Sequence, residues 1–180
     1  MAEYLYDTKI PKERIAVLIG KDGITKKQIE SATNIKLKID SKEGDVFLKG
    51  EDALGLYSAR EVINAIGRGF NPETALLLLK QDYTLEILNM TDYIKSKNSI
   101  IRLKGRVIGA EGRSRKTIEE LTETYISVYG KTIGIIGFSE NVAIAKKAVE
   151  SLLSGSPHSS VYKWLEKRRG NMKRRDLDIK

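Results

Sequence analysis

Two short segments carry residue types suited to holding an anion: Gly20-Lys21-Asp22-Gly23 and Gly109-Ala110-Glu111-Gly112. Each follows an apolar run and precedes a basic pair, Lys26-Lys27 in the first and Arg115-Lys116 in the second. Glycines at both ends of a four-residue turn let the main chain approach a ligand closely and adopt torsions closed to other residues. A helix that begins at the turn aims its free N–H groups and the positive end of its dipole at whatever the turn holds. The chemistry these residues suit is non-covalent grip on a phosphate.

Other chemistries find little support. The chain has no cysteine, which excludes a disulfide framework and a thiolate metal site. His158, the single histidine, sits in a Ser/Pro-rich stretch and reads as a solvated loop residue. No acid–base, nucleophilic or metal-ligand constellation can be assembled, so no enzyme and no cofactor are expected. Gly130-Lys131-Thr132 resembles the end of a P-loop, but the glycine required five residues before Gly130 is Tyr125, and a strand follows where a helix is needed.

The elements that must position the two turns come from a repeat. VLIGKDGITKKQIESATNIKLKI (17–39) aligns without a gap on RVIGAEGRSRKTIEELTETYISV (106–128). Such self-similarity must be recognised first, because it sets the fold. In the first copy a strand over 3–10 leads through Pro11 into a short helix ending at Ile19. A helix over 25–33, alternating strands 36–40 and from Asp45, and a helix over 54–66 follow. The second copy repeats this: strand 83–90, helices 98–108 and 114–123, strands 125–129 and 132–136, helix 139–153. Each copy is β-α-α-β-β-α, an α+β layer with helices on one face of a three-stranded antiparallel sheet. The expected organisation is residues 1–70, a helical connector 71–82 capped by Asn71 with Pro72 in its first turn, residues 83–155, and a basic tail 156–180.

The net charge is +8 over 180 residues, with a sequence pI near 9.5. Residues 3–70 hold 12 basic and 11 acidic side chains, residues 83–155 hold 11 and 8, and residues 156–180 hold 8 and 3. The excess rises toward the C-terminus and points to a nucleic-acid partner. No signal peptide and no apolar run of membrane-spanning length are seen, so the expected setting is soluble and cytoplasmic.

A helix, Ile-Gly-x-x-Gly, a second helix and then strands, present twice, resembles the type I K-homology (KH) domain, whose loop clamps about four nucleotides by their backbone. Bases would lie on the adjacent groove, for which the candidates are Val17, Ile29 and Leu37 in the first copy and Arg106, Ile118 and Ile126 in the second. The second copy departs from the common basic loop in having Ala110-Glu111, yet it is flanked by Arg102, Lys104, Arg106, Arg113, Arg115 and Lys116. It is therefore favoured as the stronger RNA site, with the first copy contributing or serving as a protein contact. The tail, with Arg168, Arg169, Arg174 and Arg175, reads as an RNA-phosphate arm disordered until bound, and Trp164 as packing with Val161 and Leu165.

The tandem units, their interval and the end of the second copy resemble the archaeal members of the Dim-two or partner-of-Nob-one family of small-subunit ribosome assembly factors. The resemblance implies binding to pre-ribosomal RNA near the 3′ end of the small-subunit RNA and association with the endonuclease that matures it, without catalysis by the protein itself. In eukaryotic relatives the first copy lacks its glycine loop, whereas GKDG is intact here. Other ribosome assembly or translation factors are expected as partners. A KH protein for other RNAs, or a mainly protein–protein adaptor, are the alternative readings.

Overall fold

The computed structural model describes residues 2–178, apart from the side chains of Met172 and residues 175–178. The chain divides into two compact units, Met1–Leu85 and Glu86–Lys180.

The first unit opens with strand β1 (Tyr4–Lys9), and Pro11 precedes a helical turn leading into α1 (Ile15–Ile19). After the GKDG turn come α2 (Ile24–Thr33), β2 (Lys36–Ile39), β3 (Asp45–Gly50) and α3 (Ala53–Gly67). The strands form an antiparallel sheet in the order β1-β3-β2, with Tyr6 opposite Leu48 and Leu37 opposite Leu48 across the two pairings. Alternation puts Leu37, Val46 and Leu48 on the inner face, where the helices cover them. Asp52 caps α3, accepting from the N–H groups of Leu54 and Gly55 at 3.0 and 3.1 Å. The stretch that follows is helical: Asn71 caps α4 (Pro72–Leu76) through a 2.8 Å bond from Thr74 N–H, and Ala75 and Leu78 are buried.

The second unit repeats the order with β4 (Tyr83–Asn89), α5 (Lys97–Ile108), the GAEG turn, α6 (Arg113–Thr122), β5 (Tyr125–Tyr129), β6 (Thr132–Phe138) and α7 (Ser139–Leu153). Its sheet order is β4-β6-β5, with Ile126 opposite Ile135. One core cluster joins Leu103, Val107, Ile118, Ile126, Ile133, Ile135 and Val149.

The tail corrects one expectation. The disordered arm anticipated after Pro157 is a helix, α8 (His158–Asp178), reached through a turn at Gly155. Val161 and Leu165 enter the second core, so apolar burial supports the helix without any ligand. Trp164, expected to pack beside them, stays 37% exposed with the Arg168 guanidinium 5.6 Å from its ring, because it lies at the edge of the face that buries Val161 and Leu165. Among the described residues, no helix is long and apolar enough to cross a membrane.

Candidate nucleic-acid interface

The two glycine turns have one backbone. Gly20 (φ 75°, ψ 171°) matches Gly109 (74°, 174°), Asp22 (54°, 25°) matches Glu111 (54°, 27°), and Gly23 (74°, 17°) matches Gly112 (75°, 13°). Three of the four residues carry positive φ, a region that L side chains occupy at a cost. Space is also restricted at the first glycine: a Cβ on Gly20 would stand 2.8 Å from the Thr25 nitrogen, and one on Gly109 would stand 2.7 Å from the Ser114 nitrogen. The second glycine faces open space, so Gly112 is demanded by torsion alone. Matching bonds close each turn: Gly23 N–H to Gly20 O and Gly112 N–H to Gly109 O, both 3.2 Å.

Behind each turn the second helix is tied to the edge strand in the same way. The Glu30 carboxylate accepts from Leu37 N–H at 2.8 Å, and Glu119 accepts from Ile126 N–H at 2.7 Å. A hydroxyl on the last helical residue closes the far end: Thr33 bonds to Ile29 O and Thr122 to Ile118 O. The turn is thus held at the mouth of a rigid helix–strand corner, its backbone facing outward with the helix N-terminus behind it.

Several side chains lie elsewhere than the sequence reading placed them. Ile29 and Ile118 are fully buried, and Leu37 and Ile126 nearly so, each within its unit's core. They cannot meet a base; they anchor the corner from inside, whereas Val17 is half-buried. Arg106 is turned inward rather than toward a groove. Its Nε donates to Leu152 O at 3.0 Å and its Nη2 to Ser156 O at 2.5 Å, satisfying one carbonyl in the last turn of α7 and one in the turn that follows it. Arg14 does the same for the first unit, donating to Ile66 O and Phe70 O at 2.8 and 2.7 Å. Nor is His158 a solvated loop residue: its Nε2 lies 2.8 Å from Arg106 O, and because a carbonyl only accepts, Nε2 carries the proton.

The remaining candidates are on the surface. Lys21, Asp22, Lys27, Ala110, Glu111, Arg113 and Lys116 are exposed, and Lys26 and Arg115 are half-buried. Glu111 is turned to solvent with its side chain 82% exposed, 3.4 Å from Arg113. Arg168 and Arg174 are exposed and Arg169 is half-buried on α8, while the side chain of Arg175 lies outside the described residues. Sequence reasoning missed Ser114, His158 and Tyr162, which line a cleft beside the second turn together with Arg102 and Arg113. No local motif marks the last two, since they reach the turn through the path of α8.

Two β-α-α-β-β-α units with a helix, a glycine-bracketed turn and a second helix define the type I KH class. The eukaryotic-type KH domain (KH domain type I) matches residues 84–170, and the KH domain matches residues 6–65. A KH domain-containing protein of Methanocaldococcus jannaschii is 51% identical over 175 residues, covering 95% of this chain and 77% of that protein. The RNA-binding protein pno1 of Dictyostelium discoideum is 29% identical over 166 residues, covering 89% and 70%. A solved complex of aDim2p with a/eIF2alpha and rRNA from Pyrococcus horikoshii aligns with TM-score 0.88 and 48% identity, covering 94% of this chain and 96% of that one. The chain belongs to the Dim2 (partner-of-Nob-one) family of tandem type I KH-domain proteins. Fungal relatives of which it spans about half the length are named pre-rRNA-processing protein pno1.

Proposed function

We propose that the chain binds single-stranded small-subunit rRNA, or its precursor, near the 3′ end and helps to position the endonuclease that matures that end. The observation that carries this reading is the duplicated turn: two loops with one set of torsions, each at the start of a helix, in a chain of net charge +8. The rRNA bound by aDim2p of Pyrococcus horikoshii supports the choice of RNA, and its second companion there makes a translation factor a further expected partner. The protein acts as a binding factor, not a catalyst, in the cytoplasm. Gly109, Ala110, Glu111 and Gly112 would clamp phosphates by backbone, with Arg113, Arg115 and Lys116 supplying counter-charge. Gly20, Lys21, Asp22, Gly23, Lys26 and Lys27 would form a second, weaker contact, and Arg168, Arg169 and Arg174 a flank along α8. The functional division is residues 1–70, 71–82, 83–155 and 156–180.

Crosslinking followed by sequencing tests the RNA: reads should concentrate at the 3′ end of the small-subunit rRNA, and reads scattered over messenger RNAs would refute the assignment. Aspartates at Ala110 and Glu111 should cut RNA affinity at unchanged fold, more than Lys21→Asp does. Affinity should also fall steeply with salt, because phosphate contacts release counterions. A flat salt response would favour the adaptor reading. Added chain should raise cleavage at the mature 3′ end by the purified endonuclease, and an unchanged cleavage rate would remove the positioning role.

A further inference from the structure

A cleft of about 410 Å³ opens on the side of the GAEG turn that faces α8. Gly109 and Ala110 form part of its wall, so it is continuous with the turn itself. Among the described residues, no carboxylate lines it. Arg102 and Arg113 line it from α5 and α6, and neither is neutralised inside it. Arg102 has no hydrogen-bond or ion-pair partner among the described residues, and Arg113 meets only the outward-facing Glu111. Arg106 adds a third positive charge although two of its donors are spent on Leu152 O and Ser156 O. His158 and Tyr162 close the far side, so the N-terminal ends of α6 and α8 converge on one small space.

Ser114 gives an independent sign of a ligand. It lines the cleft, is 2% exposed, and its hydroxyl has no hydrogen-bond partner among the described residues. A buried hydroxyl left unpaired is destabilising, so such groups are rarely left orphaned without a role. The first unit differs at this place. At the offset of the gapless repeat, Arg102 and Arg113 fall on Glu13 and Ile24, and only Arg106 has a counterpart in role, Arg14.

We propose that this cleft holds an additional phosphate of the bound RNA strand, beyond those taken by the backbone of the turn. A strand leaving the four-nucleotide clamp would pass Gly109 and Ala110 and set its next phosphate between Arg102 and Arg113, within reach of a rotated Ser114 hydroxyl. The second unit then reads a longer strand than the first. This rests on the RNA-binding reading above and extends it to residues outside the turn.

The test uses the full chain and two single-stranded RNAs from the 3′ end of small-subunit rRNA, one of four nucleotides and one of ten. Arg102 is exposed and makes no side-chain bond among the described residues, so Arg102→Gln should leave thermal unfolding unchanged. The ten-nucleotide RNA should lose about tenfold in affinity, as for a charge-assisted contact, with a salt slope shallower by about 0.7. Binding of the four-nucleotide RNA should not change. Equal losses on both RNAs would place Arg102 at the clamp and overturn the cleft, as would no loss on the longer one. Arg102-dependent binding of an oligoglutamate peptide, as tight as the longer RNA, would assign the cleft to an acidic protein segment and also overturn it. If the wild type binds neither RNA, the RNA-binding reading itself falls, and this proposal with it.

Discussion

The first unit leaves the face of its second helix open, and the second unit covers the same face with an added helix. In the first, Ile24 is 52% exposed beside a groove bordered by Leu76 and Leu79. In the second, α8 packs along α6, sends Val161 and Leu165 into the core and brings His158 and Tyr162 to the glycine turn. Yet the turns themselves agree within a few degrees at every matched residue. The difference teaches that the clamp is a property of backbone, set by glycines and a helix start, whereas what surrounds it is set by side chains one helical turn away and by appended elements.

The largest test of this comparison is in the cores. Ile118→Ala and Ile29→Ala should each cost about 2–5 kcal/mol of stability, measured by urea unfolding, because each empties a fully buried site. Loss of RNA affinity at unchanged stability would instead put these side chains in the groove and break the assignment. Next are the two arginines. Arg106→Ala and Arg14→Ala each remove two charge-assisted bonds to helix-end carbonyls and should cost about 2–3 kcal/mol, in the second and first unit respectively. A binding defect without destabilisation would return Arg106 to the RNA surface.

The glycines sharpen the comparison further. Gly109→Ala combines positive φ with a Cβ 2.7 Å from backbone and should cost about 2 kcal/mol; Gly112→Ala carries the torsion alone and should cost about 1 kcal/mol. Gly20→Ala and Gly23→Ala should follow the same order, and a reversed order would show that the turns relax differently. The smallest effect concerns Glu61, whose carboxyl burial pushes above the usual range against the opposing pull of Arg60. A raised folded-state pKa means that ionised Glu61 opposes folding. The penalty is absent below the unfolded pKa and fully present above the folded one. Glu61→Gln should therefore stabilise the protein slightly at pH 7, and the gain should vanish as pH falls through the ordinary glutamate range. Thermal unfolding against pH measures it.

Much of the fold was legible from spacing. The gapless repeat, the glycine pairs and the alternation at Leu37 and Ile39 were enough to order the elements, because torsion and periodicity are local properties. Asn71 and Pro72 announced the cap and first turn of α4 for the same reason. The site was legible only in part. An isoleucine on the helix or strand behind a glycine turn reads alike whether it faces a groove or a core, so spacing alone places Ile118 and Ile126 in the groove where the structure buries them in the core.

By itself, then, the sequence determined two glycine-bracketed turns, each between helices on a three-stranded sheet, in a basic chain. Tertiary structure decided which cations remain available. Arg106 donates to Leu152 O in α7 and Ser156 O just beyond it because α5 packs beside the end of that helix, and no spacing rule reports a contact between residues some fifty positions apart. It also decided that His158, Tyr162 and Ser114 share a cleft with Arg102. That meeting depends on burying Val161 and Leu165, which folds the basic tail back over α6 instead of leaving it in solvent.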